Sequence, residues 1–303
     1  AGLRYETTQT KIDDQTAPAA RQHVENDYGI LLPSAHLRYS LSADDRLSAS
    51  VARTVRRPGF DQLSPAILLA EQGDNDFIGN PELDPETAWG LDVGYERRLG
   101  KRGVAGVNVF YRKVSDLIEV ANTGVVGSEG AGTFVLTPRN AGDGSVWGVE
   151  FDLSTPLTMF GLEHTGVFLN YSWLDSDIDD DFGSRRFNSQ SDYVFNVGFI
   201  QDLPTWGAAF GATYRKQGDA YGRMVGEEVS TSYGADLEVF VEKRFGENFV
   251  LRLTGSNLLN ASKDEVFNKF TTLADQKARN FDEYEIETEE AGPVFQLVGR
   301  LAF

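Results

Sequence analysis

The sequence predicts an all-β chain, an antiparallel up-and-down sheet of the kind that forms a transmembrane β-barrel. Three observations predict it. Apolar and polar residues alternate with period two along about twelve segments. The connections between those segments are short and long in turn. Charged residues also occupy mid-strand positions on the polar parity. In a packed core each unpaired charge would cost on the order of several kcal/mol, whereas a water-filled lumen tolerates it.

The predicted strands lie near 2–8, 34–42, 46–55, 87–99, 103–119, 145–157, 164–175, 191–202, 206–217, 232–245, 248–258 and 293–303. Tight connections are expected at 43–45, 100–102, 158–163, 203–205 and 246–247. Long ones are expected at 9–33, 56–86, 120–144, 176–190, 218–231 and 259–292. Strict alternation puts every short turn at one end of the sheet and every long loop at the other, the layout of outer-membrane barrels. No segment shows convincing helical periodicity, and no linker divides the chain.

The strand faces are explicit. Trp89, Leu91, Val93 and Tyr95 alternate with Gly90, Asp92, Gly94 and Glu96. Trp147, Val149, Phe151 and Leu153 alternate with Gly148, Glu150, Asp152 and Ser154. The apolar set is expected to meet lipid and the polar set the lumen. Phe240 resists this reading, because it shares its parity with Glu238 and Glu242.

Composition narrows the function. With 28 Lys+Arg against 46 Asp+Glu and a net charge of −18, the chain lacks the basic footprint that nucleic acid requires. It has no cysteine, which removes disulfides, thiolate metal sites and cysteine nucleophiles. No apolar run is long enough for a transmembrane helix. The opening residues already alternate like a strand, so no signal peptide is expected. His23, His36 and His164 are scattered, and no nucleophile elbow or metalloprotease motif accompanies them, so an enzyme is not expected.

The last strand, PVFQLVGRLAF, places Phe295, Leu297, Gly299 and Leu301 on the outward parity and ends on Phe303. This ending resembles the C-terminal signal that delivers outer-membrane barrels to their assembly machinery. Other stretches resemble the C-terminal barrel half of TonB-dependent receptors. One is residues 31–65, with Leu-Leu-Pro, two strands around a tight turn, and then Arg57, Pro58, Gly59 and Phe60. The next is GNPELDPE, with Gly79, Asn80, Pro81, Pro85 and Glu86. VNVFYRKVSDLIE, NAGDGSVWGVEFDL and LRLTGSNLLNASKDE follow in the family's order.

The resemblance implies a Gram-negative outer-membrane transporter with a 22-stranded barrel, an N-terminal plug and contact with TonB. Residues 1–303 are then the C-terminal portion of the barrel domain, with the plug and first strands missing. It implies active uptake of a bulky, scarce nutrient such as an iron–siderophore, another metal chelate or an oligosaccharide. Its partners would be TonB (through the missing region), the plug, the remaining strands, lipid and lipopolysaccharide, and a small ligand. A passive porin-like channel or one subunit of a split barrel remains the alternative.

Two site expectations follow. The outer rim stretch YRKQGDAYGRM offers Arg215, Tyr221 and Arg223 to stack on or pair with a substrate. DSDIDDDFGS offers Asp175, Asp177, Asp179 and Asp181 as oxygen ligands for Ca²⁺ in an outer loop, though its glycine spacing departs from the EF-hand. Acidic loops such as 259–292, with nine acids against four bases, are expected to keep the outer surface hydrated.

Overall fold

The computed structural model describes residues 1–15, 17, 22–71, 74–180 and 182–302. In chain order the elements are β1 (Gly2–Asp13), β2 (His23–Ser40), β3 (Asp45–Arg56), α1 (Phe60–Leu63), β4 (Ile67–Leu68), β5 (Asp76–Ile78) and β6 (Glu86–Leu99). β7 (Gly103–Gly127), β8 (Gly130–Leu157), β9 (Leu162–Asp180), β10 (Gly183–Arg185), β11 (Tyr193–Leu203) and β12 (Ala208–Gln217) follow. The chain then forms β13 (Ala220–Met224), β14 (Glu227–Tyr233), β15 (Asp236–Phe245), β16 (Phe249–Ser256), β17 (Ser262–Lys269), α2 (Leu273–Ala278), β18 (Glu283–Glu290) and β19 (Val294–Leu301).

A wall of strands runs in the order β1-β2-β3-β6-β7-β8-β9-β11-β12-β15-β16-β19. Each strand is antiparallel to the next, and the twelve match the twelve predicted segments one to one. Among the described residues β1 and β19 each pair on one side, so the wall is an open arc. The short turns, 41–44, 100–102, 158–161, 204–207 and 246–248, all fall at one end. Gly100, Gly161, Gly207 and Gly246 adopt left-handed φ of 58–73° there, which a side chain would resist.

The faces are as the alternation predicts. Trp89, Leu91 and Val93 are 48%, 50% and 48% exposed in mid-wall. They align across strands with Val51, Val109 and Tyr111 to form one bare apolar surface. On the opposite face Arg112 pairs with Asp92 at 2.6 Å and Asn108 donates to Glu150 at 3.0 Å. On this face Gly90 is buried beneath the Arg112 side chain and Glu86 is buried against Arg56 and the Ile118 N–H, and with the bare apolar set turned to lipid this is the lumen side. Val93→Arg should therefore cost about 2–4 kcal/mol of stability in the bilayer. Asp92→Asn, which removes one partly exposed ion pair, should cost less than about 1 kcal/mol. Denaturant unfolding in lipid vesicles measures both, and a larger cost at Asp92 would invert the faces.

Phe240 is a lumen residue. Its ring lies beside Gly211 of β12, where an added Cβ would come within 2.6 Å of it, and under the Arg252 guanidinium at 3.8 Å. Phe110 covers Gly148 and Phe168 covers Gly198 in the same way. A ring laid over a glycine of the adjacent strand fills the surface the glycine leaves empty. This explains how an aromatic residue sits among carboxylates.

The loops depart from expectation. β1 continues to Asp13 and β2 starts at His23, so most of 9–33 is strand. Residues 120–144 are not a loop: β7 and β8 run on as a hairpin that turns at Ser128 and Glu129. Register shifts after Val114, Leu117 and Asn122 rotate its faces, which destroys the period-two signal. Residues 232–233 end β14, and β15 starts at Asp236, not 232. Trp206 belongs to the short turn, since β12 starts at Ala208. The predicted loops 218–231 and 259–292 supply a second, four-stranded sheet, β13-β14-β17-β18. The two helices span four and six residues, too short to show periodicity. α2 is instead fixed by its cap, in which Thr272 Oγ accepts the Asp275 N–H at 3.1 Å.

Candidate functional site

The long-loop end is where the chain leaves simple alternation, and three joints organise it. The first is built from the Arg-Pro-x-Phe and Gly-Asn-Pro stretches. The Asn80 N–H donates to the Gln62 carbonyl at 2.7 Å, and Gly79 lies against the backbone of Ser64. Leu63 and Leu83 pack with Ile118, and Pro81 and Pro85 are buried beside them. Asn140 accepts the Asp84 N–H at 3.0 Å and donates to the carbonyls of Asp84 and Asp116 at 3.0 and 2.8 Å. Glu86, 8% exposed, accepts from Arg56 at 2.7 Å and from the Ile118 N–H at 3.2 Å. Arg57 pairs with Glu6 and donates to Thr8 at 2.9 Å. Pro58 and the exposed Phe60 border a groove of about 360 Å³ with Tyr28 and Asn26. These eight motif residues thus form a clamp between the loop and strands β1, β3, β7 and β8.

The second joint is ionic. Arg185 donates from Nε to Asp180 at 2.6 Å and from Nη2 to Glu119 at 2.5 Å. Arg223 holds the same Asp180 through two donors at 2.9 and 3.1 Å, with its guanidinium 4.6 Å from the Phe182 ring centre. The four charged side chains are only 8–15% exposed. Two carboxylates and two forked guanidiniums balance, which offsets the desolvation. Burial pushes the Asp180 pKa up, but hydrogen bonds from Phe182 N–H, Arg185 and Arg223 outweigh it and hold the carboxyl below its ordinary value. The network ties β7, β9 and β10 to the loop sheet.

The third joint packs α2 on the loop sheet. Gln276, 1% exposed, accepts the Gly226 N–H at 2.9 Å and donates to the Met224 carbonyl at 3.1 Å. Arg279 pairs with the buried Glu228 at 2.6 Å. Nearby, Asp76 accepts from Ala70 N–H, Ser128 N–H and Ser128 Oγ, which fixes the tip of the β7–β8 hairpin.

Between wall and loop sheet lies a cavity of about 540 Å³, within the size range of small-molecule sites. Asn196, Arg215 and Asp236 line it from the wall, and Lys263, Glu289 and Glu290 from the loop sheet. Arg215 is half exposed and only loosely engaged, 3.8 Å from Asp236 and 3.7 Å from Glu238.

Arg215 is separated from the other two expected substrate residues. Tyr221 and Arg223 lie on β13 of the loop sheet, and Arg223 is already committed to Asp180. Burial and the neighbouring Glu228 push the Tyr221 phenol up to about 12. Its folded-state pKa exceeds the ordinary value of about 10. The loop sheet should therefore keep its stability below pH ~10 and lose it as pH rises towards ~12. Phenolate absorbance compared between the parent and Tyr221→Phe measures this, and ionisation near 10 would count against it.

Asp175, Asp177 and Asp179 share one face of β9, at alternate positions about 6.6 Å apart. Asp175 pairs with Arg186 at 3.1 Å and Asp177 accepts from Ser184. Asp181 lies outside the described residues. Among the described residues no three His, Cys, Asp or Glu side chains group to hold a metal. The strand spreads these carboxylates along a line instead of converging them. Sequence reasoning placed Asp180 in the acidic run without giving it a partner and passed over Arg185 and Glu119; the signal was the Arg185–Arg186 pair, separated from that run by three residues. Phe295 and Leu301 sit bare on the outer face at 70% and 58% exposure, and Phe303 lies outside the described residues.

The wall, its lipid-type outer face, the short turns at one end and the organised loops at the other define a segment of an outer-membrane β-barrel. The chain matches the family model "TonB dependent receptor-like, beta-barrel" over residues 1–258, and it belongs to that family. No curated protein matches it by sequence. Among solved structures it is similar to the copper transporter OprC, with 15% identity and a TM-score of 0.72 over 99% of this chain and 44% of that one. It is also similar to a ferric enterobactin receptor (PfeA) mutant from Pseudomonas aeruginosa, with 22% identity and a TM-score of 0.58 over 78% and 36% of the two chains. The siderophore receptor PirA from Acinetobacter baumannii gives 16% identity and a TM-score of 0.58 over 78% and 38%. The chain thus spans less than half the length of these structures. At such identities the likeness establishes the fold. The family description and the names of these neighbours are those of receptors and a transporter.

Proposed function

We propose that this chain is the C-terminal wall and loop assembly of a TonB-dependent receptor in the outer membrane of a Gram-negative bacterium. In this reading a plug and further wall strands complete the barrel, and TonB drives uptake through the plug. The family match over residues 1–258 carries the reading. The chain's part is to capture substrate at the rim, with Arg215 in the cavity between wall and loop sheet as the residue that first engages it. No covalent chemistry is involved.

The substrate we favour is a metal chelate that carries its own ligands. PfeA has been crystallised with enterobactin, and PirA is a siderophore receptor. OprC is a copper transporter. This chain has no cysteine, two methionines and three histidines, few soft donors for a bare copper ion. A deletion strain tested on iron chelates, copper and oligosaccharides, alongside a tonB deletion, decides the matter. Loss of growth on one chelate in both strains supports the reading. Uptake that persists without TonB would make the protein a passive channel.

A further inference from the structure

One cross-strand row on the lipid face carries two cations that no carboxylate of the chain meets. Arg53 of β3 stands opposite Trp89 of β6, and Trp89 stands opposite Lys113 of β7. Residues directly opposite share a face, so all three project on the side of Val51, Leu91, Val93 and Tyr111. Among the described residues neither cation forms an ion pair. Arg53 reaches only the Thr87 hydroxyl, at 3.5 Å, and its Nε is buried without a partner. Lys113 is exposed. The row continues through Ser145 to Asp177, which accepts from Ser184, and Asp175 in the next row is paired with Arg186 at 3.1 Å. Elsewhere on this face cations are engaged within the chain, Arg97 with Asp45 at 3.2 Å and Lys216 with the Tyr233 carbonyl.

The row lies at one edge of the apolar band. From Trp89 to Arg97, β6 runs nine residues, the length with which a tilted strand crosses the hydrocarbon. Arg97 marks the short-turn edge. The row marks the long-loop edge, which is the extracellular one in outer-membrane barrels. An exposed indole suits that boundary between tails and headgroups. A long basic side chain there lays its stem along apolar surface and lifts its charge to the headgroups. What neutralises Arg53 and Lys113 is thus an anion of the leaflet. Two strand spacings of ~4.8 Å set their backbones about 10 Å apart, with the Trp89 indole between them. That arrangement fits two phosphates carried on a sugar better than a single phosphate, with the apolar face of the indole against the sugar ring.

We propose that Arg53 and Lys113 bind the phosphates of an anionic glycolipid headgroup in the leaflet at the long-loop end, with Trp89 against its sugar, an inference that rests on the membrane-spanning reading of the wall. The test adds bisphosphorylated lipid A, its monophosphorylated form or phosphatidylglycerol to the full-length receptor in detergent, and native mass spectrometry counts the retained lipid. The parent should retain the bisphosphorylated lipid best. The double variant Arg53→Gln, Lys113→Gln should lose about tenfold in that retention. Arg97→Gln, which changes a cation of the same face at the opposite edge, should leave it unaltered. Retention in the parent should also fall with ionic strength, a readout independent of how the variants fold. A parent that retains either other lipid equally well, or an unchanged preference in the double variant, would overturn the proposal. A full-length receptor that stays folded and monodisperse without detergent would instead sink the membrane reading beneath it.

Discussion

Arg185→Met should release the loop sheet from the wall while leaving the wall intact. Arg185 is 8% exposed and serves Glu119 and Asp180 together. Removing it leaves Glu119 with no cation, only the Asn188 N–H at 3.3 Å, and leaves Asp180 with Arg223 and the Phe182 N–H. Breaking a buried pair in this way costs about 3–5 kcal/mol. The loss should appear as faster hydrogen exchange across β10 and β13, with exchange in β6 and β16 unchanged. Arg185→Lys should fall between, since an ammonium cannot fork to two carboxylates. The same joint should weaken in acid. Asp180 has a lowered folded-state pKa. Its contribution is therefore complete above the ordinary aspartate value of about 3.9 and is lost as pH falls below it. Unaltered exchange in Arg185→Met would mean that the four charges merely sit together and fasten nothing.

Gly79→Ala should be the most damaging single-methyl change at the rim. The new Cβ would lie 2.3 Å from Ser64 O, 2.7 Å from Ser64 N and 2.8 Å from Gln62 O. All three are backbone atoms and cannot rotate away. The 60–64 turn must separate from the 79–86 segment, which exposes Leu63 and Leu83 and breaks the Asn80–Gln62 hydrogen bond. Overpacking of this kind costs about 1–3 kcal/mol, with the lost burial added. Folding yield and protease cleavage within 57–85 measure it. Gly106→Ala is the control, because the nearest atom to its added Cβ is 3.7 Å away. Equal behaviour of the two variants would show that the clamp yields freely.

The Gly79 result bears on how such motifs are read. Arg57, Asn80, Pro81 and Glu86 were visible in the sequence as a family signature, but the signature does not say what the residues touch. Their partners are Glu6, Gln62, Arg56 and Ile118, far apart in the chain. Likewise Arg215, Tyr221 and Arg223 looked like one rim cluster because they lie within nine positions. A change of sheet between β12 and β13 divides them. The acidic run suggested converging oxygens, but continuation of β9 to Asp180 sets alternate carboxylates in a row.

Sequence by itself determined the wall: twelve strands, their lumen and lipid faces, and the end that carries the short turns. A strand's side chains alternate strictly, and each face meets a different solvent. The solvent preference of every residue therefore writes the geometry directly into a local pattern. Only the tertiary structure decided the loop end. There the backbone is bulged, and charges are neutralised by partners up to 66 residues away. Glycines there are set by which backbone packs against them. Such long-range pairings are fixed by folding as a whole, and no local period records them.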